Sequence, residues 1–224
     1  MYYTNSPLVN YTRLSPNNSG ERTHTIDRIT PHCTAFHCSV ETLGNLFAKY
    51  HGTNGTSANY GIGDDGKVAL YVPENERAWT SSSRENDQRA ITIECSSDTD
   101  KPNKMNDKVY NMLVTLCVDV CQRNGKKKLL WLGNKEKTLA YNPKADEMVL
   151  TVHRWFSAVR SCPGDWLYSR LGELAATVTN ALNPTNTIYR VQIGAFRKKE
   201  YAEAYAEKAR KAGFKDAFIV TAKK

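Results

Sequence analysis

An α/β fold is predicted for this 224-residue chain, and three stretches carry the prediction. Ala90-Ile-Thr-Ile-Glu-Cys alternates with the period of a half-buried strand. Val109, Met112, Leu113, Leu116 and Val120 fall at helical spacing ahead of an Asn124-Gly125 stop, which places a helix over residues 105–123. Trp166, Leu167, Leu171, Leu174, Val178 and Leu182 repeat that spacing as far as Asn183-Pro184. The length allows one well-buried domain, set at residues 1–183, and a small second one.

The other elements follow in chain order. Residues 1–24 contain Ser-Pro-Asn-Asn-Ser-Gly and read as turns in an irregular arm. Between Thr25 and Thr30 only Ile26 and Ile29 are apolar, a spacing that does not fit strand alternation. Residues 39–50 read as a helix with Ser39 as N-cap, Val40, Leu43, Leu46 and Phe47 on one face, and Gly52 as the stop. Residues 59–63 and 67–72 form a hairpin, because Asp65-Gly66 supplies the positive backbone angles that a tight turn requires. The polar stretch 81–88 is expected to be loop, residues 129–132 a short strand, and residues 143–147 one helical turn. A linker at 184–188 leads to a β-α-β pattern: a strand at 189–196, an alanine-rich helix at 198–211 stopped by Gly213, and a strand at 217–220.

Chemistry concentrates in His153-Arg-Trp-Phe-Ser-Ala-Val-Arg160-Ser-Cys162-Pro163-Gly164. His153 and Cys162 are too far apart for one helical turn, but a loop between them can aim both at one ion. With His32 they make two imidazoles and one thiolate, a set that leaves a tetrahedral zinc one open position for water. The thiolate favours zinc over magnesium or calcium. Taken alone, a free cysteine is as readily a small buried hydrophobe.

At this point the sequence resembles the zinc-dependent N-acetylmuramoyl-L-alanine amidases of the phage-lysozyme and peptidoglycan-recognition type. The resemblance runs from about residue 27 to 182. It rests on His32, on Tyr60 ahead of Gly63-Asp-Asp-Gly66, on Ala78-Trp79, on Ile91-Thr-Ile-Glu94, and on His153 with Cys162-Pro-Gly. It implies a central mixed sheet flanked by helices, a strand leading to His32, and zinc at the strand ends held by His32, His153 and Cys162. It also implies cleavage of the amide between N-acetylmuramic acid and L-alanine in bacterial peptidoglycan.

The resemblance assigns further roles. Glu94 matches the glutamate that acts as general base; a solvent-facing edge-strand glutamate is the plainer alternative. Tyr60 stands where phage-type members place a catalytic tyrosine with its phenol near the metal, and is given a supporting role; a core aromatic is the alternative. Arg160 replaces a lysine of the family and keeps a cation for the oxyanion, unless it is simply a solvated loop residue. Trp79 would line the substrate groove, although Thr80-Ser-Ser-Ser-Arg84 departs from the family after it. His37 and His51 match nothing and read as surface or packing residues. The tail looks like the first half of a SPOR domain, which binds glycan strands of bacterial walls.

Composition bounds the remaining classes. The hydrophobic fraction of 40% contains no run of about 18 apolar residues, which argues against stable membrane insertion. From Tyr189 onward ten Lys/Arg stand against four Asp/Glu, so the tail holds most of the net charge of +8. No helix-turn-helix, zinc-finger or aromatic RNA-binding signature accompanies it, so attraction to anionic wall polymers is preferred to nucleic acid. The N-terminus lacks the basic start and apolar core of a secretory signal, so the expectation is cytoplasmic synthesis and action on the wall after release, as in a phage or prophage lysin. Six cysteines without such a signal read as thiols. Cys33, Cys38, Cys117 and Cys121 are alternatively a second, structural zinc site, or Cys33 and Cys38 close a short loop as in some peptidoglycan-recognition proteins. The rival functions are a non-catalytic recognition module, which would lose a ligand, and a polymer- or nucleic-acid-binding protein built on the tail.

Overall fold

The computed structural model describes residues 3–50, 52, 55–184 and 191–221. It divides into two compact units, Met1–Pro184 and Thr185–Lys224. The first unit holds strands β1 (Val9–Thr12), β2 (Asn18–Glu21), β3 (Arg28–Cys33), β4 (Tyr60–Ile62), β5 (Val68–Leu70), β6 (Glu76–Ala78), β7 (Ala90–Cys95), β8 (Lys128–Leu130) and β9 (Glu147–Leu150). Its helices are α1 (Val40–Phe47), α2 (Arg84–Arg89), α3 (Asp107–Arg123), α4 (Lys135–Ala140), α5 (Gly164–Tyr168) and α6 (Leu171–Leu182).

Seven strands form one mixed sheet in the order β1-β5-β4-β7-β3-β9-β8, and β2 pairs with β6 apart from it. Within the sheet only β4 and β5 run antiparallel, joined through Gly66 at φ +83°. The remaining neighbours are parallel. One face carries the main core, where α3, α5 and α6 supply Leu113, Leu116, Leu167, Leu171 and Leu174 against Ile29, Ile91, Ile93 and Tyr60. The other face carries a smaller core in which α1 packs Val40, Leu43 and Phe47 on Ala69 and Tyr71. Truncating a core leucine such as Leu113, fully buried in the larger cluster, would cost roughly 2–5 kcal/mol.

Several expectations are corrected. The strand that the resemblance implied forms at Arg28–Cys33 although alternation is absent, because both faces of β3 are covered and every residue from Arg28 to His32 is buried; only its end differs from the expectation. His32 is therefore the penultimate residue of the strand and does not follow it. Pro31 sits where the β9 ladder stops at Ile29, so its missing N–H costs no bond there. The polar stretch expected as loop contains α2, capped by Ser83, whose side chain accepts from the Asn86 N–H. Its inward side is polar (Asn86, Asp87, Gln88), which is why no apolar period marks it. The arm supplies β1 and β2, a helical turn is replaced by the entry to β9, and the last helix is broken into α5 and α6.

In the second unit the helix forms as α7 (Lys199–Lys211), with Ala206 and Ala209 buried and Phe196 packed near Tyr205 at 5.3 Å between ring centroids. The two expected strands are not formed among residues 191–221; residues 189 and 190, part of the first, and His51 lie outside the described residues. Val191, Ile193 and Val220 are exposed, and among the described residues of this unit no strand pairing is formed. Among the described residues no helix is long and apolar enough to cross a membrane.

Candidate metal centre

Register brings the first two groups together. β3 and β7 pair so that His32 lies beside Glu94, and β4 places Gly61, which has no side chain, on the other side of Glu94. His32 is 1% exposed, and its Nδ1 stands 3.7 Å from Glu94 Oε1. His153 arrives on a 3-10 turn (His153–Trp155) just after β9, and its ring centroid is 5.2 Å from that of His32. Cys162 comes from the loop that returns to this turn, and its Sγ is 3.2 Å from His32 Nδ1.

That loop is pinned. The Arg154 backbone N–H donates to the Cys162 carbonyl at 3.1 Å, while its guanidinium bonds the Ser161 carbonyl and Asp165. The Cys33 N–H points at Cys162 Sγ, 3.4 Å away. The donor atoms of His32, His153 and Cys162 all lie within 4.8 Å of one another, and among the described residues this is the one cluster able to hold a metal. Ser82, at φ +62°, places its Oγ 2.9 Å from His153 Nε2. This leaves the other ring nitrogen of His153 for an ion.

Burial dominates the electrostatics. It lowers the His32 imidazole well below its ordinary value, with help from His153. His153 is lowered to about 4, by burial first and then by the Arg160 charge. Glu94, 16% exposed, is pushed up to about 8 by burial and Cys33, against the pull of Arg160. Burial, the neighbouring Cys33 and the Glu94 charge raise the Cys162 thiol. Two neutral imidazoles, a soft sulfur and an adjacent carboxyl suit a zinc-type ion. His32 Nε2 is moreover buried without a hydrogen-bond partner.

The remaining expected site residues divide. Arg160 lies on the exposed loop, and its charge acts on both Glu94 and His153. Tyr60 does not join the centre, which corrects the expectation of a phenol near the metal. It pairs in register with Ile93, one position from Glu94 and hence on the opposite face, and its hydroxyl bonds Glu74 and Ser6. The Trp79 indole N–H donates to Ser19 Oγ at 2.7 Å. All six cysteines are free. Cys117 and Cys121 are buried in the main core, so the second zinc site and the Cys33–Cys38 loop closure are not formed. Sequence reading missed Ser82, which carries no signal inside a run of serines, and Arg154, whose only signal was adjacency to His153.

Together these features define a mixed α/β domain with a three-donor cluster able to hold a metal ion at the ends of its central strands. Residues 22–165 match the family described as N-acetylmuramoyl-L-alanine amidase, and residues 185–224 match the SPOR domain. No curated protein matches the chain. The solution structure of the PlyG catalytic domain is similar at 17% identity and TM-score 0.50, covering 80% of this chain and 98% of that one. An AmpD crystal structure (selenomethionine derivative) matches at 18% identity and TM-score 0.49, covering 77% and 93%. The N-acetylmuramoyl-L-alanine amidase LysC from Clostridium intestinale URNW matches at 18% and 0.48, covering 73% and 91%. The chain belongs to the N-acetylmuramoyl-L-alanine amidase family. It is a peptidoglycan hydrolase with a SPOR segment for the cell wall.

Proposed function

We propose that the chain hydrolyses the amide between N-acetylmuramic acid and L-alanine with a zinc ion held by His32, His153 and Cys162. The observation that carries this reading is the convergence of their donor atoms within 4.8 Å of one another, beside Glu94. When bound there, zinc supplies Lewis-acid polarisation and an acidified water. With a cation held there, Cys162 would stand as thiolate and Glu94 as carboxylate, the forms that burial alone disfavours.

Glu94 then takes the proton of the attacking water and returns it to the leaving amine. Its place beside His32, with Oε1 3.7 Å from His32 Nδ1, puts one carboxylate within reach of both transfers. Arg160 offers guanidinium N–H groups to the oxyanion of the tetrahedral intermediate, and the charge it already exerts on Glu94 and His153 supports that position. Ser82, bonded to His153 Nε2, would orient the His153 ring with its other nitrogen toward the ion. Trp79 is proposed as a groove residue only. In the second unit the SPOR segment would hold the enzyme on glycan strands, with its net charge of +6 drawn also to anionic wall polymers.

The test is digestion of purified peptidoglycan by the zinc-loaded chain. Free L-alanine amino termini should appear without new reducing sugar ends, and chelation should abolish them. Reducing ends in place of amino termini would assign a glycosidase and sink the reading.

A further inference from the structure

We propose that a cavity beside the metal centre is the subsite for a free carboxylate of the stem peptide, with Arg28 as its anchor. The proposal rests on the amidase reading above and names the part of the substrate that this chain selects.

Three observations meet here. β3 presents Arg28, Thr30 and His32 at alternate positions, so all three belong to one face of the sheet. Thr30 Oγ1 lies 2.7 Å from Thr151 Oγ1, and Thr151 is two residues before His153, so a polar file runs from the metal centre toward Arg28. At about 3.3 Å per residue, His32 and Arg28 are roughly 13 Å apart along the strand. That file is closed to solvent, and the centre opens to the cavity through Ser82, so a stem whose first amide lies at the centre reaches the cavity over Ser82 within its next three or four residues.

The file ends in a cavity of about 610 Å³ lined by Arg28, Arg84, Lys135, Trp155 and Phe156, with Ser82 joining it to His153. Glu85 and Arg89 also reach its lining. Arg89 is neutralised by Asp27 through two hydrogen bonds of 2.8 and 2.5 Å.

Arg28 is different. It is 5% exposed, and its side chain donates one hydrogen bond, to the neutral Asn86 Oδ1 at 3.2 Å. Among the described residues no carboxylate lies within salt-bridge distance of it. Burial and the nearby Arg89 lower it to about 10, which leaves it charged at neutral pH. A buried guanidinium with donors to spare and no counter-ion is a costly arrangement unless an anion completes it. Arg84 and Lys135, both exposed, add positive charge at the rim.

The substrate narrows the choice of anion. The lactyl carboxyl of muramic acid is consumed in the scissile amide, and the sugars bear hydroxyl and acetamido groups. The carboxylates that remain belong to the stem. Guanidinium matches a carboxylate with two parallel hydrogen bonds, and the aromatic wall of Trp155 and Phe156 covers the aliphatic part of the residue that bears it.

The test compares a soluble N-acetylmuramoyl tripeptide whose stem carboxylates are free with the same molecule amidated at those carboxylates, using the zinc-loaded full chain. The free form should show a KM about ten- to a hundredfold lower at similar kcat, the worth of a charge-assisted pair. Arg28→Gln should erase that preference so that the two substrates become alike. Calorimetric titration of metal-free protein with the free tripeptide should show binding that Arg28→Gln removes. Should Arg28→Gln fail to fold, the exposed pair Arg84→Ala/Lys135→Ala must raise KM for the free form and not for the amidated one. Equal KM values in the unaltered protein would overturn the proposal, as would an equal rise for both substrates. Full displacement of the tripeptide by glycerol-phosphate oligomers would give the cavity to wall polymers and overturn it too. Absence of hydrolysis on either substrate would count against the amidase reading alone, since the calorimetric arm reads the subsite without turnover.

Discussion

The Tyr60 hydroxyl donates to Glu74 Oε1 at 2.6 Å, on the face of the sheet opposite the metal centre. Arg123 Nη2 shares the same oxygen at 2.5 Å, and the Ser6 N–H donates to Tyr60 Oη at 2.8 Å. Burial, with Glu74 beside it, raises the phenol well above its ordinary value, so it stays a donor at all working pH. The network ties the N-terminal arm to the sheet and to α3, which is a structural task.

Tyr60→Phe should therefore leave turnover of a soluble muropeptide within about threefold while lowering stability by roughly 1.5–3 kcal/mol, the range for a hydrogen bond to a charged group. Urea unfolding and steady-state kinetics on the same preparation separate the two effects. A loss of turnover near a hundredfold at unchanged stability would restore Tyr60 to the chemistry.

Cys162→Ser should strip the ion, since a hydroxyl replaces the one soft donor of the set. Metal affinity of the unaltered chain should fall as pH falls, because burial, Cys33 and Glu94 hold the thiol protonated and the ion must displace that proton. The slope should approach tenfold per pH unit for one displaced proton. Zinc content after equilibrium dialysis across pH 6 to 8 reads both, and full occupancy in the serine variant would overturn the ligand assignment.

Glu94→Gln should retain zinc and lose roughly 10²- to 10⁴-fold in turnover, the usual cost of a missing general base. In the metal-free protein the same change should become stabilising as pH rises. The folded carboxyl is pushed up to about 8 while the unfolded one titrates near its ordinary 4.5, so the native carboxylate costs nothing below 4.5 and progressively more up to 8. Glutamine carries no such cost. Urea midpoints of both metal-free forms at pH 5 and pH 8 should diverge in that direction, and parallel midpoints would contradict the buried carboxylate.

Ser82→Ala should weaken zinc binding about ten- to a hundredfold, the usual effect of losing the hydrogen bond on the far nitrogen of a ligating histidine. Ser82→Gly removes the same bond while relieving the positive φ, so it should match Ser82→Ala in affinity and exceed it in stability. Competition against a chromophoric chelator measures the affinity; unchanged values would reduce Ser82 to a loop residue.

Deleting residues 185–224 should leave cleavage of a soluble muropeptide nearly unchanged, because every proposed catalytic group lies in the first unit. Sedimentation with intact walls should weaken, and the electrostatic share of that loss should shrink with salt, since screening limits the charges to about 8 Å at physiological ionic strength. Loss of activity on the small substrate would make the tail part of the catalytic unit.

The sequence alone marked the elements that keep a polar-apolar period. α1 and α3 were legible because one face is apolar and the other is not, while β7, covered on both faces, was legible because polar Thr92 and Glu94 alternate with Ile91, Ile93 and Cys95. Family resemblance in local motifs picked out His32, Glu94, His153 and Cys162, since each lies in a short stretch with its own pattern. Only the tertiary structure could decide what depends on both faces of a strand or on loops meeting across the chain. β3 and β9 are covered on both sides and lose their period, α2 turns a polar face inward, and Tyr60 lies one register position away from the face its motif suggested. The same limit hid Ser82 and Arg28, which are ordinary in sequence. They stand out only where β3, α2 and the turn after β9 meet: one bonds His153, and the other is a buried cation with no carboxylate in reach among the described residues.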